Sequence, residues 1–201
     1  MQSKSISRTE KMMLFFCRRW LTAITIITAI YAGLAFAAPV LMKLELYEIG
    51  SRVYRLYWPL CHQFAHRSWF LFGHELSYQA SQFHYLTGID PYATTGLWES
   101  KHWLGKDELG WKVALCQRDV AIYGGILATG TIYRVLCSQG VTITSAPWLI
   151  YLIIGLFPIG LDGFSQLLSQ PPYTLSFLNF RESTPTLRSL TGFLFGAMNV
   201  W

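Results

Sequence analysis

The stretch Leu21–Met42, LTAITIITAIYAGLAFAAPVLM, decides the class of this protein. Its 22 residues carry no charge. At the rise of an α-helix they cover roughly 33 Å, enough to cross about 30 Å of hydrocarbon. Directly before it stand Lys4, Arg8, Lys11, Arg18 and Arg19, a basic cluster that holds an N-terminus on the cytoplasmic side. Ala35-Phe36-Ala37 offers the small-x-small pattern of a signal-peptidase cut. The apolar run is nevertheless longer than the 7–15 residues or so of a signal peptide's hydrophobic region, and further apolar segments follow, so it reads as a retained anchor.

The whole chain agrees with that stretch. Of 201 residues 52% are hydrophobic and 13% charged, against about 25% charged in a soluble domain, and the mean hydropathy is +0.31. This excludes a disordered chain and argues against an ordinary soluble enzyme. The net charge of +5 invites a nucleic-acid reading, but no basic stripe with interleaved aromatics supports one. The bilayer is the expected partner.

Three more apolar segments complete the expectation: Val120–Cys137, Ala146–Leu168 and Leu187–Trp201. Gly124, Gly125 and Gly130 let a neighbouring helix approach the first of these closely. Pro158 and Gly160 predict a kink in the second, and the third is short for a span. The expected fold class is therefore all-α, a polytopic bundle of about four spans. Residues 1–20 form a basic cytoplasmic segment, 21–42 an anchor and 43–201 a membrane domain with an outer cap over 74–112. Tyr47–Leu60 reads as an amphipathic interfacial helix, with Tyr47, Ile49, Val53, Tyr54 and Tyr57 set against Arg52 and Arg55. The long loop Lys43–Asp119 holds all five histidines and Trp58, Trp69, Trp98, Trp103 and Trp111, as a segment in the headgroup layer would.

Polar residues at span ends are functional suspects. They form four clusters: Cys61-His62-Gln63 with Arg67-Ser68; Cys116-Gln117-Arg118-Asp119; Asp162-Gly163 with Gln166; and Arg181-Glu182-Ser183-Thr184 with Arg188. Alternation of the spans brings all four to one membrane face, the outer one. Thiolate, imidazole and carboxylate are zinc ligands, so Cys61, His62, Cys116 and Asp119 are candidates to hold Zn²⁺. Cys116 and Asp119, three apart, share a helical face. Against this stand a Cys61–Cys116 disulfide and a pair of inert buried thiols. Asp162 and Glu182 are candidate general bases, and Arg118, Arg181 and Arg188 candidate holders of an anion such as phosphate. The plain alternatives are ion pairs that lock helices together, Asp119 with Arg118 and Asp162 with Arg181 or Arg188, and a helix cap at Ser183 or Thr184 followed by Pro185. His66, His74, His84 and His102 read as interfacial polar residues, Cys17 and Cys137 as packing residues.

Taken together, Cys61-His62-Gln63, Arg67-Ser68, Phe72-Gly73, Cys116-x-Arg118, Ile122-Tyr123-Gly124, Leu161-Asp162-Gly163, Gln166, Arg181-Glu182-Ser183-Thr184, Leu187-Arg188 and Thr191-Gly192 resemble the prokaryotic integral membrane proteins grouped as domain of unknown function 2085. The resemblance runs from about Tyr54 onward. It implies residence in a prokaryotic plasma membrane and carries no activity. Where many relatives read Cys-Ala-Arg-Cys, this chain has Cys116-Gln117-Arg118-Asp119, which keeps a zinc ligand but loses a disulfide partner. The sequence around Ser77–Lys112 is extra, as a cap or docking surface would be.

Two functions remain open at this stage. One is a metal-binding membrane protein acting on a lipid or other anionic substrate. The other is a non-enzymatic subunit or assembly factor of a larger membrane complex, docked through its aromatic loop.

Overall fold

A computed structural model describes residues 8–93, 95–170 and 181–201. The anchor is part of a long helix, α1 (Arg8–Lys43), which retains Pro39 in its last turns. Many of its apolar side chains do not pack inward: Ile26, Ile27 and Ile30 are more than half exposed. Apolar surface of that extent needs a bilayer to cover it. Leu21 and Thr28 are buried along its length, and near the C-terminal end of α1 Ala35, Ala38 and Met42 are buried too. There they meet α2 (Tyr47–Tyr57) through Val53, Tyr54 and Tyr57. The amphipathic helix expected over 47–60 is thus present, with its buried face turned to protein.

Beyond α2 the chain forms a small mixed cap. A 3₁₀ turn (Ala65–Arg67) leads into β1 (Ser68–Leu71). Two short helices follow, α3 (Ala80–Thr87) and α4 (Gly96–His102), then a hairpin of β2 (Gly105–Lys106) and β3 (Gly110–Cys116). The three strands pair antiparallel in the order β1-β3-β2, with Ser68 opposite Cys116 and Leu71 opposite Trp111. The expectation of an all-α chain is corrected here. Trp111-Lys112-Val113-Ala114-Leu115 is a run buried on both faces, and Gly110 turns the hairpin at φ +82° where a side chain would be strained. The cap is also more ordered than the irregular loop expected for it. A second apolar cluster of Ala65, Phe70, Tyr78, Phe83 and Leu109 lies inside it.

β3 runs directly into α5 (Gln117–Ser138), a candidate span. The next span, Trp148–Ser169, is built in three pieces. These are α6 (Trp148–Ile150), a π-helical stretch (Tyr151–Leu156) and α7 (Phe157–Ser169). The wide turns immediately precede Pro158, which has no N–H to continue an α-helical ladder. α8 (Pro185–Val200) is 16 residues long, about 24 Å, and is too short to count as a span. Among the described residues three helices are long and apolar enough to cross a membrane, and the expected count of about four is not confirmed.

α8 packs against α5 at backbone distance. A Cβ on Gly125 would lie 2.5 Å from the Phe193 carbonyl oxygen, and one on Gly192 would lie 2.6 Å from that of Arg118. At Gly196 it would collide with the Ile122 carbonyl. Gly192 and Gly196, four apart, are the small-residue seam by which membrane helices approach closely.

Candidate metal cluster and arginine network

The four polar clusters meet at one end of the bundle, where β3 enters α5, α7 ends and α8 begins. They form two adjoining assemblies.

The first is built on the β3–α5 junction. Cys116 is the N-cap of α5, its sulfur accepting a hydrogen bond from the Asp119 N–H at 3.5 Å. Cys61, at the exit from α2, accepts from the Cys116 N–H at 3.3 Å. One ligand atom from each of Cys61, Cys116 and Asp119 lies within 4.8 Å of the other two. Both cysteines are free thiols. Their mutual hydrogen bonding, burial and the nearby Asp119 push the Cys61 thiol well above its ordinary range. Two thiols and a carboxylate are a chemically suitable donor set for zinc. A tetrahedral ion with bonds of roughly 2.0–2.3 Å spaces its ligands about 3.3–3.8 Å apart, so the trio needs an adjustment of about 1 Å to close. His62 does not join them: it is exposed and lies 5.5 Å from the Phe64 ring. The expected four-ligand set is reduced to three.

Gln63 adopts φ +54° and is buried. Its amide donates to the Tyr54 carbonyl at 3.0 Å, and its own carbonyl accepts from Lys112 Nζ at 2.7 Å. Around that left-handed turn Cys61 is buried, whereas His62 is exposed and lines the neighbouring cavity with Cys116. Lys112 is fully enclosed, spans to the Lys101 carbonyl at 2.6 Å and has its pKa lowered to about 7 by burial.

The second assembly is ionic. Asp162, on α7 and 3% exposed, accepts from Arg118 at 2.6 Å, Arg181 at 2.8 Å and the Ser183 hydroxyl at 2.8 Å. Glu182 accepts from Arg67 through both oxygens, at 3.1 and 3.0 Å. It accepts further from Gln166, Gln170 and Tyr92, and pairs with Arg188. Arg188 in turn donates to Gln117, whose amide reaches the Ser68 carbonyl. Arg181 and Arg188 therefore divide between the two acids, and Arg118 pairs with Asp162 rather than with neighbouring Asp119. Among the described residues Arg118 Nε is buried with no acceptor.

Thr184 caps α8, accepting from the Leu187 N–H at 3.2 Å, with Pro185 as the first helical residue. This leaves Arg181, Glu182 and Ser183 to the network. A cavity of about 440 Å³ lies between the two assemblies, lined by Cys116, Arg118, Arg67 and Arg188 together with Phe64 and Leu167.

His66 departs from its expected interfacial place. It is 2% exposed, with Nδ1 3.1 Å from the Ser100 hydroxyl. Burial first, then the positive charges of Arg67, Arg188 and Lys112, hold its pKa well below the ordinary histidine value. His74, His84 and His102 are exposed, and so is Cys137, which was expected to pack. The Cys17 side chain lies outside the described residues. The roles of Gln63, Lys112, Tyr92 and Gln170 were not read from the sequence. Lys112 left a signal, a lone cation in the apolar run Trp111–Leu115; the glutamines and the tyrosine left none.

Comparison with known proteins agrees with the motif reading. An uncharacterized protein of Methanocaldococcus jannaschii is 28% identical over 148 residues, 74% of this chain. That alignment spans 64% of the archaeal protein's length. No solved structure matches. The Cys61-His62-Gln63 motif precedes the stretch that matches a known family. From the turn before β3 to Trp201, residues 108–201, the chain matches the family described as predicted membrane protein, domain of unknown function 2085.

Proposed function

We propose that this is a membrane-embedded metal-binding protein that acts on an anionic substrate, with Cys61, Cys116 and Asp119 as the ligands. The observation that carries the reading is the convergence of two thiols and a carboxylate, from segments 55 residues apart, to within 4.8 Å beside an arginine-lined cavity. Zinc is the ion this donor set suits best. When bound it would supply a Lewis acid at the edge of that cavity. Arg118, with Arg188 and Arg67, would orient an anionic group there. Asp162 and Glu182 are given a different part from the general bases their position suggested. Every oxygen they carry is engaged by a guanidinium, an amide or a hydroxyl, so their work is to hold the arginines in place.

The proposed setting is a prokaryotic plasma membrane with a cytoplasmic N-terminus, which puts the site on the outer face. Elemental mass spectrometry of protein purified in detergent without chelator tests the reading. We expect near-stoichiometric zinc in the wild type and its loss in Cys116→Ser. A folded wild type without metal overturns the proposal.

A second reading is supported by the same saturated ion pairs. Buried charges that are fully satisfied lock helices in register, as a non-enzymatic subunit of a membrane complex would require. In that case Cys116→Ser is silent in every assay except thermal stability.

A further inference from the structure

The cavity beside the thiol cluster has a mixed cationic and apolar lining. Arg67, Arg118 and Arg188 line it together with the apolar Phe64, Leu97 and Leu167, and the Arg67 guanidinium lies 5.5 Å from the Phe64 ring centre. Leu167 is half exposed and continues, with Phe164 and Leu161, the apolar flank of α7 that faces away from the protein. α7 ends at Ser169, which closes the candidate span Trp148–Ser169. Twenty-two helical residues cover about 33 Å, close to the hydrocarbon thickness, so the end of the span lies at the depth of lipid headgroups. The cavity thus joins a lipid-facing flank to a cationic lining at headgroup depth.

The charges of the lining do not balance. Among the described residues Arg67, Arg118, Arg181 and Arg188 face only Asp162 and Glu182. The sequence 171–180 contributes no acid, and the nearby Asp119 lies beside the Cys61 and Cys116 sulfurs rather than in an ion pair with these arginines. Two positive charges are left over in a half-buried setting. One donor is visibly unspent, the buried Nε of Arg118. Gly163 lies directly against that side chain, with its Cβ position 3.4 Å from Arg118 Nη1. A phosphate monoester, at about −1.5 to −2 near neutral pH, matches this deficit in charge and supplies acceptors only.

We propose that the cavity binds the phosphomonoester headgroup of a membrane lipid, with the phosphate on Arg118 and Arg67 and the hydrocarbon chain laid along Leu167 and Phe164. The inference rests on the arginine cavity being the anion site, as in the function proposed above. It is independent of whether an ion occupies the thiol cluster.

The test is native mass spectrometry of the detergent-solubilised full chain with dioctanoyl phosphatidic acid, dioctanoyl phosphatidylcholine and inorganic phosphate as separate probes. We expect one phosphatidic acid to bind, at least about tenfold more tightly than phosphatidylcholine. Arg118→Lys keeps a cation opposite Asp162 but removes Nε, and should weaken phosphatidic acid about tenfold. Leu167→Asn, on the exposed flank, removes apolar surface without adding charge, and should weaken the lipid more than inorganic phosphate. Thermal melts of both variants confirm that they are folded. Equal binding of phosphate and phosphatidic acid, with no effect of Leu167→Asn on the lipid, overturns the lipid and leaves a free-anion site. Absence of binding by all three probes to folded wild type overturns the site altogether. Elemental analysis of the same wild-type preparation separates this outcome from the metal reading: phosphatidic acid binding by protein that carries no zinc overturns the metal and leaves the lipid site standing.

Discussion

Single residues at the polar end of this bundle show how much depends on enclosure. Lys112 is an ordinary surface cation by type, yet it occupies the middle of β3, fully buried, with only carbonyl oxygens as partners. Desolvation brings its pKa from 10.5 down to about 7. The consequence for stability has a definite sign. Below pH 7 the residue is charged in the folded and unfolded chain alike, and the full cost of burying the charge is present. Between pH 7 and about 10.4 the unfolded chain retains the proton that the folded chain has released. Stability therefore climbs with pH across that window, by up to about 1.4 kcal/mol per unit from this group. Thermal unfolding in detergent between pH 6.5 and 9.5 should show a rising midpoint in the wild type. In Lys112→Met the rise should be largely absent; an equal slope in the two proteins would refute the assignment.

At the scale of elements, the α5–α8 contact carries the site. Arg118 and Arg188 reach the network from these two helices, so their register sets the distance between the acids' partners. The seam is made of glycines because only a missing Cβ allows the backbone approach seen at Gly192 and Gly196. Gly196→Ala should destabilise the folded protein by roughly 1–3 kcal/mol through overpacking against the Ile122 carbonyl. Gly124, one position from the seam and open to the outside, is the control. Gly124→Ala should be neutral or stabilise by up to about 1 kcal/mol through helix propensity. Denaturation midpoints of the two variants in one detergent decide the matter; if they fall together, the seam is not what holds α8. The glycines of α5 announced a close neighbour in the sequence. Which helix it would be was not legible, because small residues on one helix specify an approach and not a partner.

For the whole molecule, the described arrangement puts the ends of α1, α7 and the starts of α5 and α8 together, with the exposed thiol of Cys137 at the opposite end of α5. This gives a topological prediction. With Cys17 replaced by serine, a membrane-impermeant maleimide applied to intact cells should label His62→Cys and not Cys137, and permeabilisation should expose Cys137. The reverse pattern would place the N-terminus outside. Labelling of both positions in intact cells would mean that α5 does not cross the membrane.

The sequence by itself determined that this is a membrane protein, where its long apolar segments lie, that Thr184-Pro185 opens a helix and that four polar clusters collect at one end. All of these follow from hydropathy, charge and capping, properties of a short window that need no knowledge of the rest of the chain. Only the tertiary structure decided that His62 stays out of the thiol cluster, that a three-stranded sheet underlies the cap, and that Arg118 belongs to Asp162 rather than to Asp119. Each of these depends on which distant groups meet. Strand pairing joins residues 48 apart, as with Ser68 and Cys116, and a charge takes as its partner whatever opposite charge shares its burial. Neither is written in the residues on either side.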